Sequence, residues 1–308
     1  MHSQTYELRT LDPVLTTLAQ GYVNRKYVGK ELFPVVEVSK QKGRIPVFGK
    51  SAFVERSTSR AIGSNSNRLP QTDFDLLEFE TTERDVEMAV DYLEEEQIND
   101  FYKYEQYTVR QLIDVLELNC ELEAAKIATN PDNYPDDNKI IIDATSQNNL
   151  SIGSSQIIRE AIERVRASIG VRPNTMLLSY PVYQLICNDV SLEDKFKYAG
   201  ITSLNTKIIS DYFDIPKVRI ATTVYSPDGV SFENVWGNSI ILAFVDDSSP
   251  DVRNEFNPSF GYTLRRRNMP EIDTYYENGG KIKVIRATDN YCLKMTSPQA
   301  GCLILNQL

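Results

Sequence analysis

The sequence predicts an α+β fold, and three observations carry that prediction. A stripe of apolar residues at helical spacing runs from about residue 96 to 129; β-type segments lie before it and return after Phe256; and between the two sets strands and helices alternate. The 308 residues are enough for two modest domains or one larger one with appendages.

Residues 1–72 do not read as a self-sufficient unit. An amphipathic stretch around Leu15, Leu18 and Tyr22 gives way to extended chain, in which PVVEV, RIPVF and AFVER alternate with turn residues. The tract from Ser57 to Pro70 carries few large apolar side chains and so has no core to pack. The expectation is a projecting hairpin or arm, ordered only by contact with sister molecules, because fixing each residue costs about 1–2 kcal/mol of entropy.

Residues 74–92 alternate imperfectly and read as strand. The long helix follows, with Val109, Leu112, Ile113, Leu116, Cys120, Ala124 and Ile127 on one face. Glu94, Glu95 and Glu96 stand at its expected start, where the helix dipole favours acid, and Asn130-Pro131 ends it. At 1.5 Å per residue it is on the order of 50 Å long, a spine for whatever surrounds it.

A compact α/β unit is expected over about 139–250. Its pieces are KIIID, a helix from about Gln156 to Ile169 with Ile158, Ala161, Ile162 and Val165 inward, TMLLS, a helix opened by Pro181, the helical SLNTKIISDYF, and the strands KVRIATTVY and SIILAFV. β signals resume in FGYTLRRR, EIDTYYE, KIKVIRAT and YCLKMT. Asn278-Gly279-Gly280 and Asp289-Asn290 read as hairpin turns between the last of these.

With 41% hydrophobic and 25% charged residues, the composition is that of a folded protein. The N-terminus lacks the apolar region of a secretory signal, and the longest clean apolar run, Ile240 to Val245, is too short to span a bilayer; a soluble cytoplasmic product with no membrane partner is expected. The net charge of −10 argues against a dedicated DNA-binding module. Its distribution is uneven: residues 1–70 hold 11 Lys/Arg against 5 Asp/Glu, and the remainder 22 against 38. A basic leading segment is thus expected to lie against the acidic body of another copy.

The catalytic inventory is nearly empty. The only histidine is His2, which removes Ser-His-Asp and Cys-His arrangements and His-ligated metals. Cys120, Cys187, Cys292 and Cys302 form no CxxC pair and read as free thiols. Gly49-Lys50-Ser51 has its upstream Gly43 one residue too far away for a phosphate loop, and the intervening RIPVF is β-type. The acidic groups at Asp132, Asp136 and Asp137 and at Asp246, Asp247 and Asp251 lack the alternation and glycine of a calcium loop, so they read as solvated. Arg265, Arg266 and Arg267 cannot all face one side of a strand. No catalytic residue, cofactor or metal is assigned, and the chain is expected to be a structural protein rather than an enzyme.

Several stretches, in this order, resemble the major capsid proteins of tailed bacteriophages with the Hong Kong 97 fold. They are LDPVLTTLAQGYVNRKYVGKELFPVVEVSKQKGRIPVFGKSAF, EAAKIATNPDNY, RPNTMLLSYPVYQLICND, VWGNSIILAFV, PSFGYTLRRRNMPEIDTYYE and SPQAGCLILN. The resemblance implies an N-arm (1–35), an extended E-loop hairpin (36–72), a peripheral domain (73–138 and 251–308) built on the spine helix and a long sheet, and an inserted axial domain (139–250). It implies self-assembly as pentamers and hexamers into an icosahedral virion shell around double-stranded DNA, touched non-specifically, with assembly in the bacterial host cytoplasm. Portal and decoration proteins are further implied partners. Because the arm begins within about ten residues of Met1, a separate scaffolding protein or none is expected. Nothing local marks Lys50 as a cross-linking lysine, so that chemistry is not assigned.

The intersubunit contacts expected in the E-loop are Arg44, Phe48, Lys50, Phe53, Arg56, Arg60 and Arg68. Exposed ion pairs contribute about 0–1 kcal/mol each, so the phenylalanines are expected to supply most of the interface energy. Two rivals stay open here. One is an encapsulin-type shell with enzyme cargo; the other is a cytoplasmic α/β enzyme that uses carboxylates.

Overall fold

The computed structural model describes residues 10–21, 27–47, 55, 58–60, 65–67, 76–97, 101–142, 150–189, 192, 204–246 and 258–307. Its elements, in chain order, begin with β1 (Thr10–Leu11), α1 (Pro13–Gln20), α2 (Gly29–Leu32), β2 (Val35–Val38), β3 (Lys42–Pro46), β4 (Leu76–Glu80), β5 (Thr82–Asp91) and α3 (Tyr92–Gln97). The long helix α4 (Phe101–Ala128) is followed by β6 (Lys139–Ile142), α5 (Leu150–Ile169), β7 (Thr175–Ser179), α6 (Tyr180–Cys187), α7 (Thr206–Phe213) and β8 (Lys217–Ala221). The chain continues through β9 (Val224–Tyr225), β10 (Glu233–Asn234), β11 (Ser239–Ala243), β12 (Gly261–Arg266), β13 (Glu271–Glu277), β14 (Ile282–Met295) and β15 (Gly301–Asn306).

The apolar stripe does form the spine. α4 has 28 residues, about 42 Å of helix, and Val109, Leu112, Ile113, Leu116, Cys120 and Ala124 on it are buried. Glu94 lies on α3 and not in the first turn of α4, which has no acidic residue. The stripe packs on a sheet built around β14. Residues 282–291 pair with β5 on one edge, while β13 and then β12 lie end to end along the other. Outside them, β1 pairs with β13 and β2 runs parallel to β12. Ile272, Ile285 and Ala287 from the sheet meet Leu15 and Ala19 of α1 and the first half of α4 in one core.

The second sheet has the order β6-β15-β11-β7-β8. Both of its faces are covered, and that is why TMLLS, SIILA and GCLILN read as unbroken apolar runs without alternation. One face (Met176, Leu178, Ile240, Leu242, Ile304) packs on α5, α6 and α7. The other (Leu177, Ile241, Ala243, Leu303) joins Val28, Phe33, Cys120 and Ala124, so the α/β unit and the C-terminal half of the spine share a core.

Four expectations need correction. Asp289-Asn290 is not a turn: both residues lie within the 14-residue β14, buried and held in register opposite Arg84 and Glu83. Tertiary pairing there overrides local turn preference. The last strand, drawn within the 251–308 segment, pairs instead with β6 and β11 in the sheet of the α/β unit, because its apolar faces fit that sheet's two cores. The helix expected from Gln156 begins at Leu150, with Gly153 off helical geometry.

The fourth concerns the leading segment. Residues 10–21 and 27–38 are not left to a sister molecule: β1, α1, α2 and β2 dock on the chain's own body. Asp12 caps α1 through Val14 N–H and Leu15 N–H, and the Thr16 hydroxyl both donates to Ile272 O and accepts from Ile272 N–H. Buried Leu32 and Phe33 contribute about 1.5–3 kcal/mol each against the ordering entropy of their neighbours.

Candidate assembly interface

β3 and β4 build a two-stranded foot. They pair antiparallel, with Lys42 opposite Glu80, Arg44 opposite Glu78 and Pro46 opposite Leu76. The register places opposite charges across from each other: Lys42 Nζ lies 2.9 Å from Glu80 Oε1, and Arg44 donates to Glu78 Oε1 at 2.7 and 3.0 Å. Such cross-strand pairs fix register more than they add stability. Gly43 is required beneath the Phe79 ring, since a Cβ there would lie 2.7 Å from a ring carbon. The register brings Pro46 and Leu76 side by side.

Of the expected contact residues, Arg44 stands in β3 with its side chain 63% exposed although paired with Glu78, and Arg60 is exposed. Phe48, Lys50, Phe53, Arg56 and Arg68 lie outside the described residues. The structure therefore places Arg44 at the foot, paired with Glu78.

Beneath the foot, the interface between spine and sheet carries buried charge. Arg84 donates to both oxygens of Glu123 at 2.7 and 2.9 Å, and its guanidinium lies 4.0 Å from the centre of the Tyr291 ring. Arg265 pairs with Asp289 at 3.0 Å. Burial pushes the Asp289 carboxyl up, with Arg265 pulling against it, and burial likewise raises the Tyr291 hydroxyl. Of the arginine run, Arg265 is turned inward, while Arg266, at the end of β12, and Arg267, just past it, are exposed.

Sequence reasoning missed three features. Glu121 is 2% exposed and accepts from Val28 N–H (2.9 Å), Gly29 N–H (2.7 Å) and the Trp236 indole (2.7 Å). Its signal was available: Glu117 and Glu121 fall at i, i+4 within the apolar stripe, where a solvated acid does not belong. Trp236, the chain's single tryptophan, was equally conspicuous. The third is the β9–β10 hairpin, whose tip holds Val230 and Phe232 in solvent at 87% and 77% exposure. Isolated exposed apolar residues are ordinary, but here a Phe and a Val two apart on one turn are both exposed. No sequence pattern distinguishes SPDGVSF from an ordinary loop.

Among the described residues, no group of three or more His, Cys, Asp or Glu could hold a metal. Asp136 pairs with Lys139, which lowers its carboxyl pKa, and Asp246 is 7% exposed. Asp247 and Asp251 lie outside the described residues.

No family model matches the chain. A major capsid protein of Burkholderia phage BcepMu is 34% identical over 301 residues, covering 97% of each chain. The crystal structure of a phage-related protein from Bordetella bronchiseptica RB50 is 27% identical, covers 97% of this chain and 98% of its own, and superposes with a TM-score of 0.79. The mature capsid protein of bacteriophage PhiM1, only 14% identical, shares the fold at a TM-score of 0.53 over 100% of this chain and 92% of its own. The mixed helix and sheet fold is therefore that of phage capsid proteins. On that identity, running nearly end to end, the chain belongs to the phage major capsid protein family and is a structural protein of the virion capsid rather than an enzyme.

Proposed function

We propose that identical subunits assemble as pentamers and hexamers into an icosahedral shell around phage double-stranded DNA. The observation that carries this reading is the 34% identity to a phage major capsid protein along 97% of both chains. Residues 36–72 act as the E-loop, rooted at the β3–β4 foot. Residues 73–138, with most of 251–300, form the peripheral domain on the spine and the β14 sheet. Residues 139–250 form the axial domain, with β15 as one of its strands. Residues 1–35 are the N-arm, whose described part is seated on its own subunit.

Shell closure needs one set of contacts to tolerate slightly different angles. A bending loop on a rigid body supplies that tolerance. Arg44, Lys50, Arg56, Arg60 and Arg68 meet acidic surface on a neighbour, and Phe48 and Phe53 supply the apolar contact. Val230 and Phe232 are further contacts of the same kind. A separate scaffolding protein, a portal protein and a decoration protein are the remaining partners. DNA is touched only non-specifically, as the acidic balance favours, since phosphate contacts dominate affinity for DNA. Assembly takes place in the host cytoplasm. No described helix is long and apolar enough to cross a membrane.

The test is negative-stain microscopy of the purified protein, with assay of particle contents. Closed shells are expected, with nucleic acid in particles from infected cells. Shells holding an enzyme cargo would turn the reading to the encapsulin type, and small oligomers alone would sink it. Deleting residues 47–75 should leave folded, unassembled subunits; normal shells from that deletion would remove the loop's role.

A further inference from the structure

We infer that Glu121 is a positioning residue for assembly, one that locks the seating of the N-terminal segment to the orientation of the α/β unit. A single oxygen, Oε1, accepts both Val28 N–H from the N-terminal segment and the indole N–H of Trp236, next to β10, while Oε2 accepts Gly29 N–H. The carboxylate itself belongs to the spine. Three parts of the chain far apart in sequence thus meet on one group.

The site is buried and close. Glu121 is 2% exposed and Trp236 1%, so water does not readily replace a lost partner. Gly29 approaches so nearly that a Cβ would stand 2.7 Å from Glu121 Oε2 and 2.9 Å from Ala124 Cβ. A second bridge repeats the link on the outside: Glu31 of α2 holds Arg219 at 3.0 Å and Lys217 at 3.5 Å, both on β8. Helix α2 is therefore clamped between the spine and the α/β unit by two separate sets of charged contacts. Burial raises the Glu121 carboxyl pKa, with the N–H donors pulling against it. For packing alone an apolar side chain would serve as well, without the desolvation cost. What the carboxylate adds is direction, since its two oxygens fix where the N-terminal backbone and the indole must lie.

The effect on shells rests on the assembly reading above; the coupling within the subunit does not. Trp236 is the only tryptophan, so intrinsic fluorescence reports on the α/β side of the joint. Gly29→Ala pushes on Glu121 from the N-terminal side, and Glu121→Gln removes an acceptor in place. Both should red-shift the emission and raise acrylamide quenching by about threefold or more. Glu31→Gln, which breaks the outer bridge and leaves the core alone, is the second arm should Gly29→Ala fail to fold, and a smaller shift in the same direction is expected. A folded Gly29→Ala or Glu31→Gln protein with wild-type emission and quenching overturns the coupling. In assembly, Glu121→Gln should give shells of mixed diameter where wild type is uniform. Uniform wild-type shells from that variant overturn its positioning role. If wild type forms no shells while the fluorescence shifts as expected, the assembly reading falls and the coupling stands.

Discussion

Arg265 and Asp289 form an ion pair of 3.0 Å between neighbouring strands, with only 12% and 5% of their side chains exposed. A pair this deep repays little beyond its own desolvation, but breaking it leaves a buried charge alone. Arg265→Met should cost about 3–5 kcal/mol, and adding Asp289→Leu should recover most of the loss. Denaturant unfolding of the two single variants and the double variant measures this; an undiminished penalty in the double variant would place the cost in packing instead.

The thiols should differ in reactivity. Burial pushes Cys120 up to about 11 and Cys302 up to about 12, and the attacking species is the thiolate. Iodoacetamide at pH 8 should therefore modify half-buried Cys187 well before Cys120 or Cys302, as read by peptide mass spectrometry.

Asp228 sets a pH limit on the exposed hairpin. Its carboxylate accepts from Ser231 N–H at 2.8 Å and Val230 N–H at 2.9 Å, which holds its pKa down to about 2. A lowered carboxyl pKa means the bonds are in place above the ordinary value and are lost only as pH falls through about 2. The Val230 and Ser231 amide shifts should titrate with that midpoint; one near the ordinary value of about 3.9 would contradict the geometry.

Gly261 has no room for a methyl group. A Cβ would meet the Phe33 ring at 2.6 Å and Lys294 O at 2.7 Å, one of them backbone. Gly261→Ala should destabilise by about 1–3 kcal/mol in urea unfolding, through the seat of the N-terminal segment on β12.

In the loop, Phe48→Ser with Phe53→Ser should abolish shells while leaving subunit unfolding unchanged. Arg60→Ala alone should weaken assembly by about 1 kcal/mol or less per contact. Light scattering during assembly measures both, and an equal loss from the arginine would make charge the dominant contribution.

What the sequence made legible follows from which forces act locally. The spine was plain because Val109 to Ala124 repeat at helical spacing, and a face that must be buried writes itself into the chain. The α/β unit was plain because strands covered on both faces must be apolar throughout. Asp289-Asn290 misled because turn preference is local and weak, whereas Arg265 and the opposing β5 act from far along the chain. The seating of residues 10–21 and 27–38 was hidden for a related reason: its anchors, Ile272 for Thr16 and Glu121 for Val28 and Gly29, lie 256, 93 and 92 residues away. Of the expected contact residues, the basic ones were noticed as a charge excess, and Arg44 has its partner, Glu78, 34 residues away on its own chain.

The place of β15 has a consequence for biosynthesis. It lies between β6 and β11, an inner strand of its sheet, yet residues 301–306 are translated after every other strand of that sheet. The α/β sheet has a gap until those residues leave the ribosome. The sheet of the α/β unit thus closes only when its latest strand in the chain inserts between two strands made well before it.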